Sequence, residues 1–148
     1  MKKLFIKIIL FFFISTSLNA HISHYKDLKK IEMEIFRNNK LIGYNYYFFE
    51  TQRNKVHVTN QTKFTVKLLG TTIFDVESYG EEKYSNGKLI SFNSRTKQNK
   101  NKKFVNLKLD TENNKFIIEG SSYSGKANTS NIIGNWWNHK ILQAESQI

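Results

Sequence analysis

The sequence predicts a mainly β protein, an antiparallel meander of about seven strands curled into a half-barrel or barrel, with a short C-terminal helix. Apolar and polar residues alternate with period two over most of the chain, which is typical of strands with one polar and one buried face. Short polar turns separate these stretches, and no helical pattern long enough for a parallel crossover lies between them. Successive strands are therefore expected to pair with each other.

The clearest predicted strand runs from residue 56 to residue 68. Its even positions include Val56, Phe64 and Leu68, whereas no odd position holds a large apolar residue. Alternate residues of a strand face opposite sides, so this strand has a polar face and a mostly apolar face. At about 3.3 Å per residue it is roughly 40 Å long, and long strands twist and coil. We therefore expect a curved sheet.

Further strands are predicted around it, each bounded by turn residues. They span residues 31–35, 41–51, 72–84, 89–96, 104–110 and 116–119. Asn38-Asn39 and Asn86-Gly87 are typical of tight hairpin turns, because Asn and Gly accept positive φ.

The pattern changes after Gly120. Residues 121–130 are small and polar, so they are expected to form a mobile loop. Apolar residues within 131–143 recur at spacings of three to five, which predicts a short helix packed on the sheet.

The first twenty residues have the three-part pattern of a secretory signal peptide. Lys2 and Lys3 give a positive start, residues 8–14 are an unbroken apolar run, and Ala20 is a small residue at the expected cleavage point. A membrane-spanning helix needs roughly 20 apolar residues, about twice the run even when it is counted generously from Leu4 to Phe13. We expect a signal peptide over 1–20, a flexible mature N-terminus over 21–28 and a single β domain over 29–148. The mature protein would be periplasmic or secreted, with no stable membrane span.

Composition excludes several classes of function. The chain has no cysteine, which removes disulfides, lipid attachment to cysteine, thiol chemistry and cysteine-ligated metals. The formal charge of +11 is compatible with nucleic-acid binding, but the lysines are dispersed along the chain and an exported protein rarely meets nucleic acid. We therefore expect no nucleic-acid partner.

Candidate catalytic groups are sparse. His21, His24, His57 and His139 show neither metal-ligand nor catalytic-triad spacing. Two carboxylates in one strand, at positions 75 and 77, share a face about 7 Å apart, but the same alternation describes an ordinary polar face. We predict no catalytic residue, no metal site and no cofactor.

Aromatic residues are the candidate ligand-binding residues. The set is Tyr44, Tyr46, Phe48, Phe64, Phe74, Phe92, Trp136 and Trp137. Curved sheets whose interior is not filled by side chains hold apolar ligands, and these residues could line the concave side. The competing interpretation is a filled core. Adjacent tryptophans cannot face the same way, so one of the pair is expected to be exposed.

Several short motifs together resemble a known family. They are Leu41-Ile42-Gly43-Tyr44, residues 64–70, Asn86-Gly87-Lys88-Leu89, Ser94-Arg95-Thr96 and Trp136-Trp137-Asn138. This pattern, over most of residues 30–143, resembles a family of uncharacterised exported bacterial proteins, a domain of unknown function. The resemblance implies a curved antiparallel sheet similar to periplasmic lipoprotein carriers, and it implies no activity. Such proteins continue for several strands past the tryptophan segment, so the resemblance also implies a C-terminally truncated member.

These observations favour a non-enzymatic exported protein that binds a lipid or other apolar ligand, or an envelope protein, in a curved sheet. Two alternatives stay open. Alternating strands rich in aromatics also describe an outer-membrane β-barrel protein. An envelope hydrolase could use Asp75, Glu77 or His57.

Overall fold

The computed structural model describes residues 27–142, which form one sheet of eight antiparallel strands. The strands are β1 (Lys30–Arg37), β2 (Lys40–Gln52), β3 (Lys55–Leu68), β4 (Thr71–Ser85), β5 (Lys88–Gln98), β6 (Asn101–Asp110), β7 (Lys115–Gly120) and β8 (Ser124–Asn128). Each strand pairs with its neighbour in the chain, and the sheet does not close. The predicted signal peptide and most of the predicted flexible N-terminus lie outside the described residues.

The predicted meander is confirmed, including its long strand and its tight turns. The strand expected over 56–68 is β3, which has 14 residues. Both central residues of the first turn are left-handed, with φ 50° at Asn38 and 60° at Asn39. Asn86 and Gly87 are also left-handed, with φ 49° and 76°. This backbone matches the twist of the flanking strands, which explains why these dipeptides connect hairpins.

The expected loop over 121–130 is wrong, because β8 lies within it. β8 pairs with β7 through Phe116 opposite Ala127 and Ile118 opposite Gly125. Strand pairing uses backbone groups, so small side chains suffice where the neighbouring strand supplies the apolar bulk. The sequence lacked large alternating residues there and gave no strand signal.

The expected C-terminal helix is also wrong for the described residues. Residues 131–138, here called the C-terminal segment, are irregular, and only a four-residue 3-10 helix follows, His139–Leu142. The amide of Asn135 donates to the Ile133 carbonyl at 2.9 Å, and the amide of Asn138 donates to Asn135 Oδ1 at 3.1 Å. In the described range no helix is long and apolar enough to cross a membrane.

The core lies between the sheet and the C-terminal segment. We call the covered side of the sheet the inner face and the opposite side the outer face. The buried core residues are Tyr47, Phe49, Val56, Val58, Tyr84, Leu89, Leu107, Phe116, Ile118, Ile133 and Trp137. Those on the sheet alternate with outer-face residues, as period two requires.

The two ends of the sheet differ. Successive turns of a meander alternate between ends, so the turns after β1, β3, β5 and β7 share one end, here called the tip end. The core concentrates at the opposite end. At the tip end, the amide of Asn99 donates to the Asp75 carbonyl at 2.7 Å and Asn99 Oδ1 accepts from the Asp75 amide at 2.8 Å, which ties the β5–β6 turn to β4.

Candidate functional site

A buried carboxylate, Glu82, stands at the centre of the inner face. It is 3% exposed and lies between Val58 on β3 and Phe92 on β5. Sequence reasoning missed it. The signal was available in the alternation of β4, because Val76 points inward and every second residue after it, including Glu82, must do the same.

Three side chains hold the Glu82 carboxylate. Asn135 Nδ2 and Trp137 Nε1 donate to Oε1 at 2.9 and 3.1 Å, and the Tyr84 hydroxyl donates to Oε2. Burial raises the pKa of Glu82 above its ordinary value of 4.5, and the three hydrogen bonds oppose that rise. The pKa of Tyr84 is raised well above 10.0 by burial and by the neighbouring carboxylate. Glu82 therefore anchors the C-terminal segment to β4.

A second polar cluster lies beside it on β2 and β3. Asn45 Oδ1 accepts from Asn60 Nδ2 and from the Thr62 hydroxyl, the latter at 2.9 Å. Asn45 Nδ2 donates to the Tyr47 hydroxyl at 3.3 Å, and that hydroxyl accepts from the Trp136 amide at 3.4 Å. Because buried polar groups are costly unless they are hydrogen-bonded, this cluster fixes one position for the C-terminal segment.

Phe92 lines two of the cavities that open on the inner face. The smaller, about 610 Å³, lies over the polar clusters and includes Glu82, Phe64 and Trp136 in its wall. The larger, about 810 Å³, lies over β5 to β8. Its wall holds the apolar residues Phe92, Val105, Ile118 and Ala127 and the lysines Lys103, Lys115 and Lys126.

The eight predicted ligand-binding residues do not share one face. Tyr44, Tyr46 and Phe48 lie on the outer face, where the first two rings stack at 5.9 Å. Phe64 and Phe74 meet at 5.9 Å on the inner side, and Phe92 also faces inward. The sequence indicated only that these residues could line the concave side, and the inward residues of β2 are its odd-numbered ones, such as Tyr47.

The tryptophan pair faces opposite ways, as the sequence predicted. Trp137 is 4% exposed and packs edge-on against Phe49 and Tyr84, with ring centroids 5.3 and 6.0 Å away. Trp136 is 78% exposed.

The remaining candidate groups lie on the outer face. Asp75 accepts from the Thr65 hydroxyl at 2.7 Å, and Glu77 forms a salt bridge with Lys63 at 3.7 Å. His57 lies 4.0 Å from Glu50 and 3.9 Å from Glu81. Within residues 27–142, no group of three or more His, Asp or Glu residues could hold a metal ion. His21 and His24 lie outside that range.

Comparison with known proteins gives a family and no activity. No curated protein and no solved structure matches the chain. The model of one family, the domain of unknown function DUF6134, matches residues 33–148. The chain therefore belongs to this uncharacterised family.

Proposed function

We propose that this protein is a non-enzymatic, exported binding protein whose larger inner-face cavity takes an apolar ligand with an anionic group, such as a fatty acid or a lipid. The observation that carries the proposal is a cavity with an apolar wall and a lysine rim. Its volume of about 810 Å³ lies within the range of about 300–1,000 Å³ that is usual for small-molecule sites.

The apolar wall suits an acyl chain. Phe92 on β5 and Ile118 on β7 are both opposite Leu107 of β6, and Val105 is the next inner-face residue of β6. Ala127 and Gly120 leave room above the sheet. The C-terminal segment covers the core end and leaves this part of the inner face open. Covering this surface with an apolar ligand is favourable by roughly 25 cal/mol per Å² of area removed from water.

The lysine rim suits a carboxylate or phosphate. Lys103, Lys115 and Lys126 line the same cavity, Lys103 from an inner-face position and the other two from outer-face register positions on β7 and β8 at the end of the sheet. None of them forms a salt bridge within residues 27–142. Lys103 Nζ donates to Gln98 Oε1 at 3.2 Å and Lys115 Nζ donates to Asn128 Oδ1, so two of these ammonium groups are held by neutral partners. An anionic headgroup would complete this arrangement.

Export supports the same function. Residues 1–20 have the pattern of a signal peptide, which would deliver the domain to the periplasm or outside the cell. Acyl chains there need a protein surface to cross water, a role similar to that of lipoprotein carriers. Asp75, Glu77 and His57, the residues an envelope hydrolase would use, face away from the cavity, which favours binding over catalysis.

The test is ligand recovery and titration on the mature protein. Solvent extraction of the purified protein, followed by mass spectrometry, should recover a lipid, and a fluorescent fatty-acid analogue should bind saturably. Ser94→Trp fills the cavity and should weaken probe binding at least about tenfold, about 1.4 kcal/mol. Asn93→Trp, its neighbour on the outer face, is the matched control and should bind like wild type. Equal binding by Ser94→Trp, or no saturable binding by wild type, would refute the proposal.

A further inference from the structure

We propose that the tip end of the sheet docks on an anionic lipid surface, with the apolar side chains of its hairpin turns inserted and the surrounding basic residues on the headgroups. This inference concerns a surface at the end of the sheet that adjoins the ligand cavity, and it goes beyond the function proposed above.

The β3–β4 turn is the most exposed apolar feature of the described chain. Leu69 is 98% exposed, Leu68 60% and Ile73 48%. Leu69 is also left-handed, with φ 49°, a backbone conformation that a bulky residue rarely adopts and that Asn or Gly would adopt more easily. Neither packing nor turn chemistry accounts for a leucine at this position.

Neighbouring turns extend the apolar surface. The β1–β2 turn is flanked by Phe36 and Leu41, which are both exposed, and Tyr123 is exposed in the β7–β8 turn. All of these turns lie at the tip end, because the meander alternates its turns between ends. Tyrosine is typical of membrane–water interfaces.

The opposite end of the same sheet provides an internal comparison. Its turns, at 53–54, 86–87 and 111–114, hold only polar residues and glycine. Both ends of the sheet consist of hairpin turns that are exposed to solvent. The exposed apolar residues at the tip end are therefore explained by what that end contacts, rather than by the needs of a hairpin turn.

The charge around the apolar turns is basic. Six flanking residues carry it: Arg37, Lys40, Lys67, Lys97, Lys100 and Lys102. The two acids that follow the β3–β4 turn are already engaged, Asp75 with the Thr65 hydroxyl and Glu77 with Lys63. Apolar insertion combined with several basic residues is the pairing that holds proteins on anionic membranes.

A lipid surface explains this arrangement better than a protein partner does. The exposed apolar side chains sit on separate turns rather than on one flat patch. Basic residues lie beside the β1–β2 and β3–β4 turns and in the β5–β6 turn, which matches a layer of anionic headgroups over hydrocarbon. Tyr123 and Lys103 belong both to this end and to the larger cavity, so docking would bring the cavity close to the lipid.

The experiment measures sedimentation of the mature protein with vesicles of phosphatidylglycerol in phosphatidylcholine and with vesicles of phosphatidylcholine alone. We expect binding to the anionic vesicles that weakens in raised salt, and little binding to the neutral ones. Leu69→Asn should reduce binding about tenfold while preserving the fold, because Asn accepts the left-handed turn and one inserted leucine is lost. Ile117→Asn, at an exposed outer-face position away from the tip end, is the matched control.

Charge is tested separately. Lys100→Glu should weaken binding to the anionic vesicles, whereas Lys88→Glu, beside a turn of the opposite end, should not. Equal binding to both vesicle types, no loss in Leu69→Asn, or self-association that Leu69→Asn abolishes would overturn the inference. The cavity variant Ser94→Trp should bind vesicles like wild type, so failure of the ligand proposal can be told apart from failure of this one.

Discussion

At the residue scale, Glu82 explains how an acid can sit in the core of a small β domain. An unpaired buried carboxylate is costly, and this one receives donors from Tyr84, Asn135 and Trp137. The same three bonds order the C-terminal segment over the sheet. The effect of burial on the pKa of Glu82 is larger than the opposing effect of these hydrogen bonds, so the pKa is raised. Glu82 should therefore contribute to the pH dependence of stability.

Glu82→Gln tests this dependence. The Gln carbonyl oxygen can accept from Asn135 and Trp137, and its amide can donate to the Tyr84 oxygen, so the variant should fold. A raised folded-state pKa means that the carboxyl favours folding fully below its ordinary value of 4.5 and loses that contribution as pH rises toward the folded pKa. Wild type should therefore lose stability relative to Glu82→Gln across that interval, by at most about 1.4 kcal/mol per pH unit.

The measurement is urea unfolding of both proteins from pH 4 to pH 8. Glu77→Gln, at an exposed salt bridge, is the control for loss of a carboxylate outside the core. A difference between wild type and Glu82→Gln that does not change with pH would contradict the assigned cause.

At the element scale, the strands from β1 to β7 could be predicted from the sequence and β8 could not. Period two is visible when each strand alternates its own large and polar residues, as β3 does. β8 has only Gly125 and Ala127 facing inward and depends on Phe116 and Ile118 of β7 for its apolar cover. The pairing of β8 depends on contacts with β7, which the pattern of its own residues does not show.

The candidate site was harder to predict than the fold. Tyr44, Tyr46 and Phe48 share a face by alternation, but alternation alone does not say which face is inner. The cover supplied by the C-terminal segment decides that, and the segment is held by Glu82, a residue type that sequence reasoning assigns to the surface.

Gly43 sets the close approach of β2 to β3. A Cβ atom there would collide with the Lys63 carbonyl and the Phe64 backbone. Gly43→Ala should therefore lower the free energy of unfolding by about 1–3 kcal/mol, the usual cost of overpacking. At Gly80 the nearest atoms to a Cβ are 3.7 Å away, so Gly80→Ala should be neutral or stabilising by up to about 1 kcal/mol. Urea unfolding of the two variants checks this, and equal losses would show that strand spacing is not the cause.

At the scale of the whole molecule, one open sheet has two faces and two edges to protect. The terminal strands within the described range are short or charged: β1 presents Lys30, Glu32 and Glu34 outward, and β8 has five residues. Charges and short length both disfavour pairing with another chain. The inner face is protected only in part, since the C-terminal segment covers the core end and leaves the larger cavity open. The covered core and the open cavity thus lie at different parts of the same face.

This division predicts unequal roles for the two tryptophans. Trp137 fills the space between Phe49 and Tyr84 and donates to Glu82, so Trp137→Ala should cost about 3–5 kcal/mol of unfolding free energy. Trp136→Ala, at a largely exposed position, should change it by less than about 0.5 kcal/mol. Urea unfolding followed by far-ultraviolet circular dichroism distinguishes them. If Trp137→Ala is too unstable to purify, Trp137→Phe is the alternative, because it keeps an aromatic ring and loses only the donor to Glu82. Its free energy of unfolding should still be lower than that of Trp136→Phe. Equal stability of the two phenylalanine variants would mean that the contacts of the C-terminal segment with the sheet do not stabilise the core.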